Sequence, residues 1–192
     1  MVPRRDRALA LLAPLALLLA AAPVTGDDFV YGQTYLRDRT GAETSLARAA
    51  DGDVLVAVIL KGTWCHVCLR QLTELSRRKA RLDTLGVRVV GIAVEPHTRT
   101  VAAAKRHALP FPILSDPDHG VVSSLGLWRP RWGHPLPSIV VFDRCGEERQ
   151  RFEGRRPGLR PERALMHLLE TMAKEEPKGC LTVLAQRSVA LH

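Results

Sequence analysis

Beyond the first 26 residues, two kinds of apolar pattern alternate along the chain. Val54 to Leu60 is a continuous run of branched and aliphatic residues, as a central strand covered on both faces requires. From Cys65 to about Leu82 the spacing changes. Leu69, Leu72, Leu75 and Leu82 recur on one face while Arg70, Glu74, Arg77, Arg78 and Arg81 fill the other, which predicts an amphipathic helix ended by Gly86. Val87 to Val94 reads as a second buried strand, and a helical pattern around Val101 to His107 returns the chain to Phe111 to Leu114. Strand, helix, strand in this order implies parallel pairing.

The remainder continues the alternation. Before Val54, a short strand, a turn at Thr40-Gly41 and a small helix from Leu46 to Ala50 are expected. After Leu114, Ser115 to Asp118 forms a turn and a short helix runs from about Val121 to Leu125. Trp128, Pro130, Trp132, Gly133, Pro135 and Pro137 lie within ten residues, too rich in breakers for regular structure. Ser138 to Phe142 is a strand, a turn near Cys145-Gly146 joins it to Glu148 to Phe152, and Pro161 to Lys174 is a final amphipathic helix. The organisation is α/β: a central mixed sheet flanked by helices, in one domain over residues 27–174, with a tail over 175–192.

The N-terminus follows other rules. Arg4, Arg5 and Arg7 precede an uncharged run of 14 residues, Leu9 to Ala22, and then small residues around Val24-Thr25-Gly26. This is the pattern of a secretory signal over residues 1–26, too short for an ordinary membrane span, although an uncleaved anchor stays open. Localisation in a periplasm or outside the cell is expected, and membrane contact only through an uncleaved signal. Removing Arg4, Arg5, Asp6 and Arg7 lowers the formal charge from +8 to +6. Basic clusters such as Arg77-Arg78-Lys79 lack interleaved aromatics, so a solvated face fits better than nucleic acid.

Candidate chemistry sits where the first buried strand meets the first long helix, at Trp64-Cys65-His66-Val67-Cys68. A helix beginning at Cys65 presents unpaired amides and its positive dipole end to that sulfur, which favours a thiolate. Cys68, within the first turn, is spaced to attack a mixed disulfide on Cys65 and release the product. The competing reading, half of a structural zinc site, needs two further ligands in a second close pair, and the sequence offers none. No metal or organic cofactor is implied. His66 either favours the Cys65 thiolate as a cation or is an exposed residue at the helix start.

These residues resemble the thioredoxin-like superfamily, and within it the redoxin branch of exported thiol-disulfide reductases and peroxiredoxins, over about residues 29–174. The resemblance rests on the Trp64–Cys68 segment after a buried strand, Leu136-Pro137-Ser138 before a strand ending at Asp143, Gly146 in the hairpin turn, and Phe111-Pro112-Ile113-Leu114-Ser115-Asp116-Pro117. It implies a thioredoxin-like fold with an extra strand and helix inserted between the dithiol helix and Pro137. It also matches Pro137 to a proline that is cis in the family, turning Leu136 toward the dithiol; the alternative is an ordinary trans turn in a proline-rich loop.

Departures from the pattern separate the branches. Peroxiredoxins resemble one another in a threonine three residues before the peroxide-reacting cysteine. Here position 62 is Gly, and Thr63 is displaced by one. Conversely, Gln71 stands where many exported reductases carry a proton-managing glutamate, and Cys68 to Leu72 looks like peroxiredoxin-like members. A thiol-disulfide oxidoreductase is expected, with Cys65 attacking, Cys68 resolving, and a thiol donor or acceptor as its redox partner. A thiol peroxidase and a redox-inert binding module stand as alternatives. Trp64 is expected partly exposed beside the site, Trp128 and Trp132 either as an apolar platform for a substrate or as simple core or rim aromatics, and the Leu136 backbone as a docking edge for an extended substrate. Cys145 and Cys180 fit a structural bridge closing a loop of about 35 residues, worth about 3–4 kcal/mol in the chain-entropy model. Cys180 acting as a further resolving thiol, or both remaining free, are the alternatives.

Overall fold

The structure, a computed structural model, describes residues 31–33, 35–154 and 162–175. Its elements are β1 (Leu36–Arg37), β2 (Glu43–Thr44), α1 (Leu46–Ala50), β3 (Val54–Ile59), α2 (His66–Ser76), α3 (Lys79–Thr84), β4 (Val87–Ala93) and α4 (His97–Arg106). They continue with β5 (Ile113–Ser115), α5 (Gly120–Ser124), β6 (Trp128–Arg129), β7 (His134–Pro135), β8 (Ser138–Phe142), β9 (Glu148–Glu153) and α6 (Glu162–Lys174). Seven strands form one mixed sheet in the order β2-β1-β5-β4-β3-β8-β9. β3, β4 and β5 are parallel neighbours, whereas β8 runs antiparallel to β3.

Both faces of this sheet are covered, which accounts for the unbroken apolar runs. Val54, Val56, Val58 and Leu60 pack with Leu69 and Leu72 of α2, Ala103 of α4, and Leu165 and Leu169 of α6. Leu55, Ala57 and Ile59 point the other way, onto Leu46 and Ala50 of α1, Val121 and Val122 of α5, and Leu127 and Leu136. Successive strand residues alternate faces, so one run supplies two cores.

Two expectations are corrected. The helix expected from Cys65 to Leu82 is broken at Arg77-Arg78 into α2 and α3. Just before the break, the hydroxyls of Thr73 and Ser76 donate to the Leu69 and Leu72 carbonyls at 3.0 and 2.8 Å, back-bonding that bends helices. Gly86 ends α3 at φ +64°, a conformation glycine adopts without strain. The Trp- and Pro-rich stretch, expected to be irregular, is a small β6–β7 hairpin joined by a 3₁₀ turn over Pro130–Trp132. Pro130 opens that turn, where no amide hydrogen is needed, and Gly133 closes it at φ +63°.

The N-terminal segment 1–26 lies outside the described residues, as do residues 176–192 of the expected tail. No described helix is long and apolar enough to cross a membrane.

Candidate active site

The dithiol lies at the C-terminal end of β3. Cys65 is the N-cap of α2, in extended conformation, and its Sγ accepts a hydrogen bond from the Cys68 amide at 3.4 Å. The helix thus aims an otherwise unpaired N–H at the sulfur. Cys65 is half-buried, Cys68 is buried at 1% exposure, and both are free thiols. Burial pushes the Cys68 thiol up to about 12, and a hydrogen bond shared with Cys65 adds to the shift; the amide and charge of Lys61 oppose it. One sulfur is reachable and the other is held protonated behind it.

Aromatic side chains rim the accessible side. Trp64 and Trp132 are 59% and 58% exposed, and Val67, inside the dithiol motif, is also exposed. The His134 ring lies between the two indoles, 6.4 Å from Trp64 edge-on and 5.7 Å from Trp132. Lys61 Nζ sits 5.9 Å from the Trp64 ring centre. Trp128 departs from the expected platform. It pairs with Pro135 in the hairpin while His134 pairs with Arg129, so Trp128 and His134 occupy opposite faces. Trp128 therefore packs on the core and stacks on His119 at 4.5 Å.

The register between Ile59 and Ser138 brings Pro137 and Leu136 to the same end of the sheet as Lys61 and Gly62. The expected cis bond before Pro137 is corrected: the described residues contain no cis peptide bond. With Pro137 trans, the chain enters β8 extended, Leu136 is buried and its amide donates to the Leu127 carbonyl at 2.8 Å, and the Pro137 carbonyl accepts from Gly154 at 2.8 Å. Leu136 is core rather than a docking edge. His66 is exposed and Gln71 half-buried.

Lys61, Glu95 and His134 were not singled out in the sequence. Glu95 had a usable signal. It follows β4 by two residues, and parallel strands bring their C-terminal ends together. The Thr63 amide donates to Glu95 Oε2 at 2.6 Å. Gly62 is buried, and a Cβ built on it would collide with the Trp64 indole. Cys145 is held in a disulfide, while Cys180 lies outside the described residues.

The AhpC/TSA family pattern matches residues 30–150, well over half of the chain. The chain belongs to the AhpC/TSA family. Among curated relatives, the putative peroxiredoxin bcp of Haemophilus influenzae is 36% identical over 61 residues, covering 32% of this chain and 39% of that protein. The thiol-disulfide oxidoreductase ResA of Geobacillus kaustophilus is 29% identical over 94 residues, covering 48% of this chain and 51% of ResA. The chain thus spans about half or less of these relatives' length. In fold, this AhpC/TSA member is similar to peroxidoxin BcpB of Mycobacterium tuberculosis, with a TM-score of 0.64 at 18% identity, covering 76% of this chain and 98% of that one. It is also similar to AhpC of Enterococcus faecalis, with a TM-score of 0.64 at 16% identity over 74% of this chain and 91% of that one. The fold is thioredoxin-like.

Proposed function

We propose that this AhpC/TSA member is an exported thiol-disulfide oxidoreductase. The observation that carries the reading is the asymmetry of the dithiol: a reachable sulfur capping a helix, with a buried, protonated sulfur behind it in the first turn. Cys65, as thiolate, attacks one sulfur of a substrate disulfide; an S–S bond forms, the substrate's own S–S bond breaks, and the departing thiolate takes a proton from water. Cys68 then loses its proton to solvent and attacks Cys65 Sγ. The second substrate thiolate leaves, the protein holds a Cys65–Cys68 disulfide, and a thiol donor must return two electrons. Export is supported by the N-terminal signal pattern and by the disulfide at Cys145, which fits an oxidising compartment, with Cys180 as its proposed partner.

Two features favour disulfides over hydroperoxides. The position of the peroxiredoxin threonine is Gly62, and the space a side chain there would fill is taken by the Trp64 indole. Trp64, Val67 and Trp132 also offer more exposed apolar surface than a small peroxide can use. In the second reading, favoured by the bcp likeness, the Cys65 thiolate attacks one oxygen of the hydroperoxide, the O–O bond breaks, the other oxygen leaves and takes a proton as an alcohol or water, and Cys65 becomes a sulfenic acid; Cys68 then condenses with it, forming the Cys65–Cys68 disulfide and releasing water.

The deciding experiment compares insulin-disulfide reduction with hydrogen peroxide consumption by the purified chain and its Cys65→Ser and Cys68→Ser variants. Disulfide turnover abolished by Cys65→Ser, with Cys68→Ser accumulating mixed disulfides, is expected. Fast peroxide consumption with negligible disulfide turnover refutes the proposal in favour of the second reading. Neither activity above that of a free small thiol leaves the redox-inert binding module.

A further inference from the structure

The hydrogen-bond ladder between β3 and β4 ends just before the dithiol loop. Its final pair is Ile59 with Ile92, followed by the Leu60 amide on the Ile92 carbonyl at 2.8 Å. Beyond this point the strands diverge, one toward α2 and the other toward α4, and residues 61–64 have no ladder to lie in. A turn from the Cys65 amide to the Gly62 carbonyl, 3.1 Å, closes the loop at its far end. The amide in its middle, Thr63 N–H, meets the Glu95 carboxylate, which takes the place of a missing strand partner.

Glu95 is itself fixed on three sides. Its carbonyl accepts from the hydroxyl of fully buried Ser115 on β5 at 2.6 Å. Oε1 faces Arg99 Nη1, one turn along α4, at 3.7 Å, and Oε2 receives the Thr63 amide. The Glu95 side chain is only 11% exposed, whereas Arg99 is 71% exposed, so the contact that lies inside the protein is the one to the loop. A 2.6 Å bond from an amide to a carboxylate is short and charge-assisted. It spans 32 residues of sequence and lands two residues before the candidate nucleophile.

We propose that Glu95 is a positioning residue for the dithiol: anchored to β5 and α4, its carboxylate holds the Thr63 amide and so sets the loop that presents Trp64 and Cys65. Without the clamp, the loop gains freedom, and the Cys65 sulfur leaves the capping geometry in which it receives the Cys68 amide. Arg99 acts one step further out, orienting the carboxylate. The effect on turnover rests on the disulfide-exchange reading, but the effect on Cys65 geometry does not.

The test uses the full, reduced chain as wild type, Glu95→Ala, Glu95→Gln and Arg99→Ala. Three quantities are measured: Cys65 alkylation by iodoacetamide at pH 7.5, located by peptide mapping; kcat and KM for insulin-disulfide reduction; and Tm. Glu95→Ala is expected to lower kcat about tenfold, the scale on which loss of a charge-assisted hydrogen bond registers, with KM little changed and alkylation several-fold slower. Glu95→Gln keeps an acceptor oxygen and stays within about threefold of wild type; Arg99→Ala falls between. Alkylation and kcat equal to wild type in folded Glu95→Ala, whatever its Tm, overturn the proposal. So does Glu95→Gln damaged as much as Glu95→Ala, because the carboxylate's charge would then matter and not its bond. A wild type inactive on disulfides refutes the exchange reading, while the alkylation ratios still decide the role of Glu95.

Discussion

Replacing Gly62 by alanine separates two effects of opposite sign at the active-site loop. Gly62 does not lie in the left-handed region, so alanine fits the backbone and removes freedom from the unfolded chain, a gain of about 0.4–1 kcal/mol. Against this, the new methyl occupies the space of the Trp64 indole, whose ring must swing away. That forfeits the edge contact with His134, worth about 0.5–1.5 kcal/mol, and the approach of Lys61, worth about 0.5–1 kcal/mol. The net is a loss of about 1 kcal/mol, or about 2–4 °C in Tm for a chain of this size. In a Trp64→Ala background the obstacle is gone, and Gly62→Ala becomes stabilising by about 0.4–1 kcal/mol. Urea denaturation of the four reduced proteins completes the cycle, and iodide quenching of tryptophan fluorescence reports whether Trp64 has moved outward. An equal loss from Gly62→Ala in both backgrounds refutes the assignment of Trp64 as the obstacle, and with it the structural reason why a threonine is excluded from position 62.

Two further measurements follow from the buried ionisable groups. The folded-state pKa of Cys68 is raised above the ordinary thiol value of 9.0, so the stability it contributes is complete below pH 9 and is lost as pH rises toward about 12. Reduced wild type should lose about 1–2 kcal/mol more than Cys68→Ala between pH 8 and pH 10.5 in urea titrations; equal losses would contradict the burial account. Asp116 is fully buried, accepting from the Val121 and Val122 amides at 3.3 and 2.9 Å where α5 begins. Asp116→Ala should cost about 1–3 kcal/mol by urea denaturation. Because burial raises the Asp116 carboxyl above its ordinary range, its contribution falls as pH rises past that range, so the penalty of Asp116→Asn should be larger at pH 3.5 than at pH 7.

The sequence by itself determined the features that rest on local periodicity and on spacing within one or two turns. The unbroken run at Val54 required a strand covered on both faces, the Leu46–Ala50 helix appears with those bounds, and the spacing of Cys65 and Cys68 put both sulfurs in one helical turn. A helix end inside a continuous stripe was harder to see: the apolar face from Leu69 to Leu82 looked unbroken, yet α2 stops at Ser76, where the Thr73 and Ser76 hydroxyls donate to helix carbonyls, and α3 starts anew at Lys79. Pairing across the hairpin gave Trp- and Pro-rich residues a structure that their breaker content concealed, and it sent Trp128 and His134 to opposite faces. What only the tertiary structure decided is which distant groups meet at the dithiol. Parallel strands carry Glu95 to Thr63 across 32 residues, and the hairpin carries His134 to Trp64. Long-range contacts of this kind are set by sheet register and crossover direction, which no short window of sequence encodes.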